Sequence, residues 1–263
     1  MKQTDERKKS ILEQLQRNGK IYVSDLSADY NISEVTIRKD LQDLEDQGLL
    51  HRVHGGAILI QPERTAVEST LDQLAALHKT EKQQIAKAAL PFVEDGDSLL
   101  FDTSTSAREL ARLVMKEPFN SLTIITTSLQ LSQELAVCKN INVIQIGGVV
   151  RSTLYTTMGP IATETLRELH VDKSFIGVNG VDPKVGLTTQ NLLECEVKRN
   201  IINASTQSFV LADYSKMYCI TMSVIVPVNG VDYIITDKNS PAEIVHQLRE
   251  KGVQVIIAEQ PAD

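Results

Sequence analysis

Residues 33–56 read SEVTIRKDLQDLEDQGLLHRVHGG, and two periodicities meet in them. Ile37, Leu41 and Leu44 recur at i, i+4 and i+7, which places them on one face of a helix over 34–47. Ser33 is its N-cap and Gly48 ends it. The apolar-rich runs on either side of Gly55-Gly56 then predict a hairpin. Upstream, residues 5–18 carry Ile11, Leu12 and Leu15 on one helical face, and 24–30 make a short second helix with Ser24 as its cap. Three short helices and a hairpin within 60 residues outline a winged helix-turn-helix.

The buried stripe fixes what the third helix shows to solvent. Opposite it lie Val35, Lys39 and Gln42, with Thr36 beside them and Arg38 on the flank. Lysine reaches guanine acceptors, glutamine pairs with adenine, and threonine bonds phosphate or touches a thymine methyl. The hairpin adds His51, Arg52 and His54 next to Gly55 and Gly56, which let backbone approach phosphates. The same outline by itself also fits a three-helix protein-interaction module, whose solvated face shows mixed charge.

Outward from this segment the pattern changes. Residues 61–79 form a charged connector, and from Thr80 strands and helices alternate. Thr80 with Gln83 reads as a capping box opening a helix that Pro91 ends. Strand-like runs follow at 98–102, 122–126, 141–146, 174–178, 208–212, 233–236 and 253–258, with helical stretches between most of them. This order predicts an α/β architecture, a mostly parallel buried sheet flanked by helices. The expected division is a winged helix-turn-helix domain over 1–60, a linker over 61–79, and an α/β domain over 80–263.

The 263 residues carry 27 Lys+Arg against 34 Asp+Glu, a net charge of −7, which taken alone argues against a nucleic-acid partner. Divided, residues 1–60 hold nine cations and ten carboxylates (−1), and the acidity belongs to the rest (−6). The 42% hydrophobic content excludes a disordered chain. No apolar run reaches the roughly 18 residues of a membrane span, so no membrane partner is expected. The polar start is not a signal peptide, and Cys138, Cys195 and Cys219 lie far apart without a CxxC, as in a reduced cytoplasmic protein. No cofactor, metal set or catalytic residue is expected.

Ligands of α/β sheets bind at the carboxyl ends of parallel strands, and four polar loops fall there. Asp102-Thr103-Ser104-Thr105-Ser106 leads into a helix, as does Thr127-Ser128. Gly147-Gly148 has Arg151 nearby, and Asp213-Tyr214-Ser215-Lys216 follows a fourth strand. Hydroxyls and amides at helix starts, with two cations, make a cradle for an anionic ligand.

The stretch VSDLSADYNISEVTIRKDLQDLEDQGLLHRVHGGA (residues 23–57) resembles the DNA-binding signature of the DeoR family of bacterial transcription regulators. Its pattern S-x-x-T-I-R-x-D-L-x-x-L-E-x-x-G followed by R-x-H-G-G-A implies DNA roles for Ser33, Thr36, Arg38, Lys39, Arg52, His54, Gly55 and Gly56. TTSL (126–129), GGVVR (147–151), GVDPKVGLTT (180–189), ECEVKR (194–199) and LADYSK (211–216) resemble the family's effector domain. That domain is similar to the ribose-phosphate isomerase and CoA-transferase fold and senses phosphorylated sugars; within the family the wording is nearest to glucitol- and amino-sugar-operon repressors. The resemblance implies a regulator, a repressor of a carbohydrate uptake or catabolism operon. It would bind double-stranded operator DNA as a homo-oligomer and answer to a phosphorylated sugar or polyol.

One departure is that the family's Asp-Ser-Gly-Thr-Thr is here Asp-Thr-Ser-Thr-Ser, so Ser104 replaces a glycine. The competing reading is a sugar-phosphate isomerase with an accessory DNA-binding-like module. Set against the isomerase motifs, the acidic loop becomes Gly177-Val178-Asn179-Gly180 and the base position becomes Lys198, with Glu194 and Glu196 nearby. The phosphate-holding parts are kept and the proton-transfer parts are lost, so Glu194 and Lys198 are assigned to effector binding.

Overall fold

A computed structural model describes residues 2–18, 20–46, 49–53, 55–59 and 70–259. They form two compact units, one centred on residues 1–65 and the other on 66–240 with 244–263. His54 and Gly48 lie outside the described residues, as does the connector over 61–69.

The first unit runs α1 (Lys2–Asn18), β1 (Lys20–Tyr22), α2 (Val23–Tyr30), α3 (Glu34–Asp46), β2 (Leu50–Val53) and β3 (Gly56–Leu59). Ile11 and Leu15 of α1 meet Leu26 of α2 and Ile37, Leu41 and Leu44 of α3 in one buried cluster. Ser33 caps α3 as expected, accepting a hydrogen bond from the Thr36 amide at 3.3 Å. Ser24 does not cap α2. Val23 is buried and already helical, so the cap position falls on Tyr22, and the Ser24 hydroxyl turns to Asp25. The hairpin β2–β3 gains a third strand, β1, in the order β1-β3-β2.

The second unit opens with α4 (Leu71–Ala76), α5 (Lys79–Ala89), β4 (Ser98–Phe101), α6 (Thr105–Val114), β5 (Leu122–Thr126), α7 (Leu129–Leu135) and β6 (Ile141–Gln145). It continues through β7 (Val149–Arg151), β8 (Thr156–Met158), α8 (Pro160–Arg167), β9 (Val171–Ile176), β10 (Gly180–Asp182), β11 (Gly186–Thr189) and α9 (Leu192–Asn203). It ends with β12 (Ser205–Leu211), β13 (Ser223–Val226), β14 (Tyr233–Asp237), α10 (Ala242–Glu250) and β15 (Gln254–Ala258). Seven strands form a parallel sheet in the order β15-β14-β12-β9-β4-β5-β6.

One face of this sheet packs against Ile85 of α5, Leu110 of α6 and Leu131 and Leu135 of α7. The other packs against Leu166 of α8, Ile201 of α9 and Ile244 and Leu248 of α10. The α/β architecture with helices on both faces is therefore as the alternation predicts. On the α5 side Phe101, Phe175, Phe209 and Tyr233 stand in register on adjacent strands, with ring centroids 5.3, 4.9 and 4.4 Å apart.

The capping box lies one element earlier than predicted. The Thr70 hydroxyl accepts from the Gln73 amide while the Gln73 side-chain oxygen accepts from the Thr70 amide, which opens α4. Thr80 lies inside α5, which starts behind His78 in a left-handed conformation (φ 50°).

The topology has one reversal point. From β4 the chain adds β5 and β6 on one side, then returns to place β9 on the other and grows outward through β12, β14 and β15. The loops after β4 and β9 consequently diverge, and a crevice at the strand ends is where open α/β sheets bind ligands.

Candidate ligand crevice and nucleic-acid interface

At that reversal point lies a run of alternating charges. Asp102, just past β4, is buried and accepts from the Ser104 amide at 2.9 Å and the Gly177 amide at 3.0 Å. Its carboxylate also takes the ammonium of Lys198 on α9, which in turn donates to the Gly177 carbonyl at 2.9 Å. Lys198 meets Glu194 one helical turn earlier at 3.3 Å, and Glu194 meets Arg151 of β7 at 3.3 Å. Burial by itself would lower the Lys198 pKa, but Asp102 and Glu194 outweigh it and raise it. Lys198 thus stays protonated. The two carboxylates and two cations balance, so this part of the crevice is neutral and internally satisfied.

A hydroxyl cluster adjoins it. Thr103 donates to Thr156 at 2.5 Å and stands 3.5 Å from the Thr127 hydroxyl, joining the loops after β4 and β5 to the β7–β8 hairpin. Thr127 and Ser128 are buried, and Ser128 spends its oxygen on capping α7, as Ser104 does on α6. Thr105 opens α6 partly exposed, with Ser106 buried behind it. The rim therefore offers the partly exposed Thr103, Ser104 and Thr105 before the buried pairs.

Ser104, at the family's glycine position, is accommodated by a second glycine. Its backbone is ordinary extended chain (φ −63°), and its side chain fills the space beside Gly177. A Cβ on Gly177 would lie 2.4 Å from that of Ser104. Gly147 has open space around it, whereas Gly148 (φ 140°) lets β8 approach: a Cβ there would be 2.7 Å from the Met158 carbonyl. Lys216, in a 3-10 turn past β12, forms no ion pair among the described residues, and Asp213 is engaged by the Ser215 amide and hydroxyl instead. Asn179, which the sequence places in the loop that replaces the isomerases' acidic one without giving it a binding role, accepts from the Thr189 hydroxyl at 2.9 Å, and the Thr156-Thr157 pair is a further set of polar groups that the sequence does not point to. Asn179 had a signal, a polar residue in the loop after a buried strand. Thr156 had none, because its hairpin is too short to read.

In the first unit, Val35 is 74% exposed and Lys39 is exposed, as the face opposite the buried stripe requires. Arg38 is tied to Glu34 at 2.7 Å. Gln42 is less free than expected: Arg52 of the hairpin donates to its carbonyl oxygen, and Gln42 donates to Asp46 at 2.8 Å. Arg52 and Gln42 thus bind the wing to α3. Gly55 is exposed in a left-handed turn (φ 81°), but Gly56 is structural, since a Cβ there would fall 2.0 Å from the Ile21 carbonyl of β1. Arg7 and Lys8 of α1 pair with Asp40 and Asp43 at 2.7 Å each, which offsets the acidity of α3 next to its outward face.

No helix among the described residues is long and apolar enough to cross a membrane, and no cluster of metal-binding side chains occurs among them. Solved structures align only loosely. A D-ribose-5-phosphate isomerase in complex with phospho-erythronic acid matches at 19% identity and a TM-score of 0.40, covering 53% of this chain and 54% of that one, too weak to assign chemistry. Sequence likeness is far broader. A proposed aga operon transcriptional repressor of Escherichia coli O157:H7 is 32% identical over 254 residues, 97% of this chain and 94% of that protein. The HTH-type transcriptional regulator GolR of Listeria innocua is also 32% identical, over 97% of this chain and 98% of its own. The DeoR-like helix-turn-helix domain family matches residues 7–63, and the DeoR C terminal sensor domain family matches 77–238. With both halves matched in order, the chain belongs to the DeoR family of helix-turn-helix transcriptional regulators.

Proposed function

We propose that this regulator represses a carbohydrate uptake or catabolism operon and releases its operator when a phosphorylated sugar or polyol occupies the crevice between the β4 and β9 loops. The observation that carries this reading is the placement of hydroxyl-rich helix starts and a neutral, fully paired charge run at the sheet's reversal point. Thr103, Ser104, Thr105, Ser106, Thr127, Ser128 and the Gly147-Gly148 turn serve the phosphate end with Lys216. Arg151, Glu194, Lys198 and Asp102 order the polyol end. The names of the relatives, one of them an aga operon repressor, support a sugar-linked operon.

Sensing rather than turnover is favoured by Lys198. An enediol isomerisation needs a free carboxylate base. Here the base position holds a lysine kept protonated by Asp102 and Glu194, and both carboxylates are paired. Operator contact is assigned to Ser33, Val35, Thr36, Arg38, Lys39 and Gln42 on α3, with Arg52, His54 and Gly55 in the wing, while Gly56, buried against β1, shapes the wing instead of touching DNA. The division of labour is 1–60 for DNA, 61–79 as connector and 80–263 for effector and self-association, in a cytoplasmic homo-oligomer whose paired heads meet repeated half-sites. A thermal-shift screen of phosphorylated sugars and polyols tests the effector. A specific ligand raises the melting temperature by mass action, and a screen with no hit rejects the phosphorylated effector. Steady turnover in a coupled isomerase assay would overturn the sensor reading.

A further inference from the structure

Lys82 on α5 is a buried charge that neither the DNA interface nor the crevice uses. Only 6% of it is exposed, and its ammonium donates to the carbonyls of Leu74 at 2.5 Å and Leu77 at 2.6 Å, the last turn of α4. A helix of six residues is too short to persist by itself. Helix α4 is held at its start by the Thr70–Gln73 capping box and at its end by Lys82. Those two carbonyls have no helical donors of their own, so the lysine satisfies groups that burial would otherwise leave costly.

The same junction touches loop 213–216. His78, the left-handed residue between α4 and α5, sets its ring edge-on to Tyr214 at 5.1 Å between centroids. Burial lowers the Lys82 pKa to about 8, Asp213 opposes that shift, and Lys216 adds to it. Two residues of the loop therefore act on the charge that caps α4, and a third packs against its end. In sequence, α4 is the last helix of the connector before the sensor sheet.

We infer that Lys82, with the His78–Tyr214 contact, is a positioning device that converts occupancy of loop 213–216 into a change in how firmly α4 is held. This rests on the reading of that loop as part of the effector rim. An anion arriving beside Lys216 alters the field on Lys82 and moves Tyr214 against His78. The capped end of α4 tightens or loosens in response, so the connector feels the ligand without touching it.

Hydrogen–deuterium exchange on the full-length protein tests this, with inorganic phosphate, glucitol 6-phosphate and galactosamine 6-phosphate as probes and melting temperature recorded alongside. In the wild type, a probe that raises the melting temperature changes exchange of the amides between Leu74 and His78 by about tenfold. In Lys82→Met the same probe still raises the melting temperature, but these amides exchange fast and do not respond; Lys82→Arg restores the response. Should Lys82→Met fail to fold, His78→Asn keeps the left-handed backbone while removing the ring and gives the same uncoupled result. A stabilising probe that leaves wild-type α4 exchange unchanged, or variants that respond fully, overturns the coupling while sparing the effector site. If no probe raises the wild-type melting temperature, the anionic-effector reading falls and the coupling with it.

Discussion

Asp102 and Lys198 show how single residues carry the sensor. Removing one partner of a buried ion pair leaves the other charged in a low-dielectric site, at a cost of about 3–5 kcal/mol. Lys198→Met is accordingly expected to lower stability in urea by that amount, and Asp102→Asn with Lys198→Met to cost less than the sum of the singles; additive losses would show that the pair is not coupled. Ser104 and Gly177 make a steric counterpart. Gly177→Ala puts a methyl 2.4 Å from the Ser104 Cβ, so it destabilises alone and is relieved by adding Ser104→Gly, as paired melts would reveal. Neither relation could be read from the sequence: the missing glycine is visible at 104, but the glycine that makes room for it stands 73 positions later in the loop past β9.

Lys82 gives the residue scale its pH dependence. Folded, it releases its proton near pH 8, whereas the unfolded chain holds it to 10.5, so between these values the unfolded state binds more protons. Raising the pH from 8 toward 10 therefore stabilises the fold. The charges facing it are Asp213 and Lys216 in the loop past β12, Glu109 on α6 and Glu81 on its own helix. Above pH 10 the trend reverses, because burial pushes Tyr214 up to about 12 and the folded state then holds the extra proton. Denaturation midpoints across this range check it: Lys82→Met removes the rising limb, and an unchanged limb in that variant assigns it to another group.

At the scale of elements, long periodic segments were legible and short ones were not. Helix α3 and the seven parallel strands follow from apolar spacing, because burial on one face or two leaves a strong pattern. Strand β9 begins three residues earlier than its apolar run, since Lys173 is buried inside it by an ion pair with Asp97 at 2.7 Å. The antiparallel pieces β7–β8 and β10–β11–β13 have three or four residues each and mix threonine with exposed valine, so no period identifies them. Two predictions belong here. Phe175 sits between Phe101 and Phe209 with no exposure, so Phe175→Ala is expected to cost about 3–5 kcal/mol in chemical denaturation. Lys39→Ala on the open face of α3 leaves the melting temperature unchanged and weakens binding to an operator selected from a random DNA pool by about 1–3 kcal/mol. A gel-shift titration with unaltered affinity removes Lys39 from the interface.

For the whole molecule, net charge decides how DNA is held. The sensor's excess of carboxylates repels the duplex, and the first unit is nearly neutral, so attraction to phosphates comes from a few placed cations. Near α3 and the wing these are Lys20, Arg38, Lys39 and Arg52, of which Arg38 is shared with Glu34 and Arg52 with Gln42. Each phosphate neutralised contributes about −0.9 to the slope of log K against log salt. One head that used all four cations would give a slope of about −3.6, and two heads on repeated half-sites about −7. A full-length titration on the selected operator between low and physiological salt distinguishes them. A slope near −7 that halves when one half-site is scrambled supports paired heads, because the second set of cations then loses its phosphates. A slope near −3.6 that is indifferent to the scrambled half-site means one head binds alone, and operator specificity then has to come from the base contacts of a single α3.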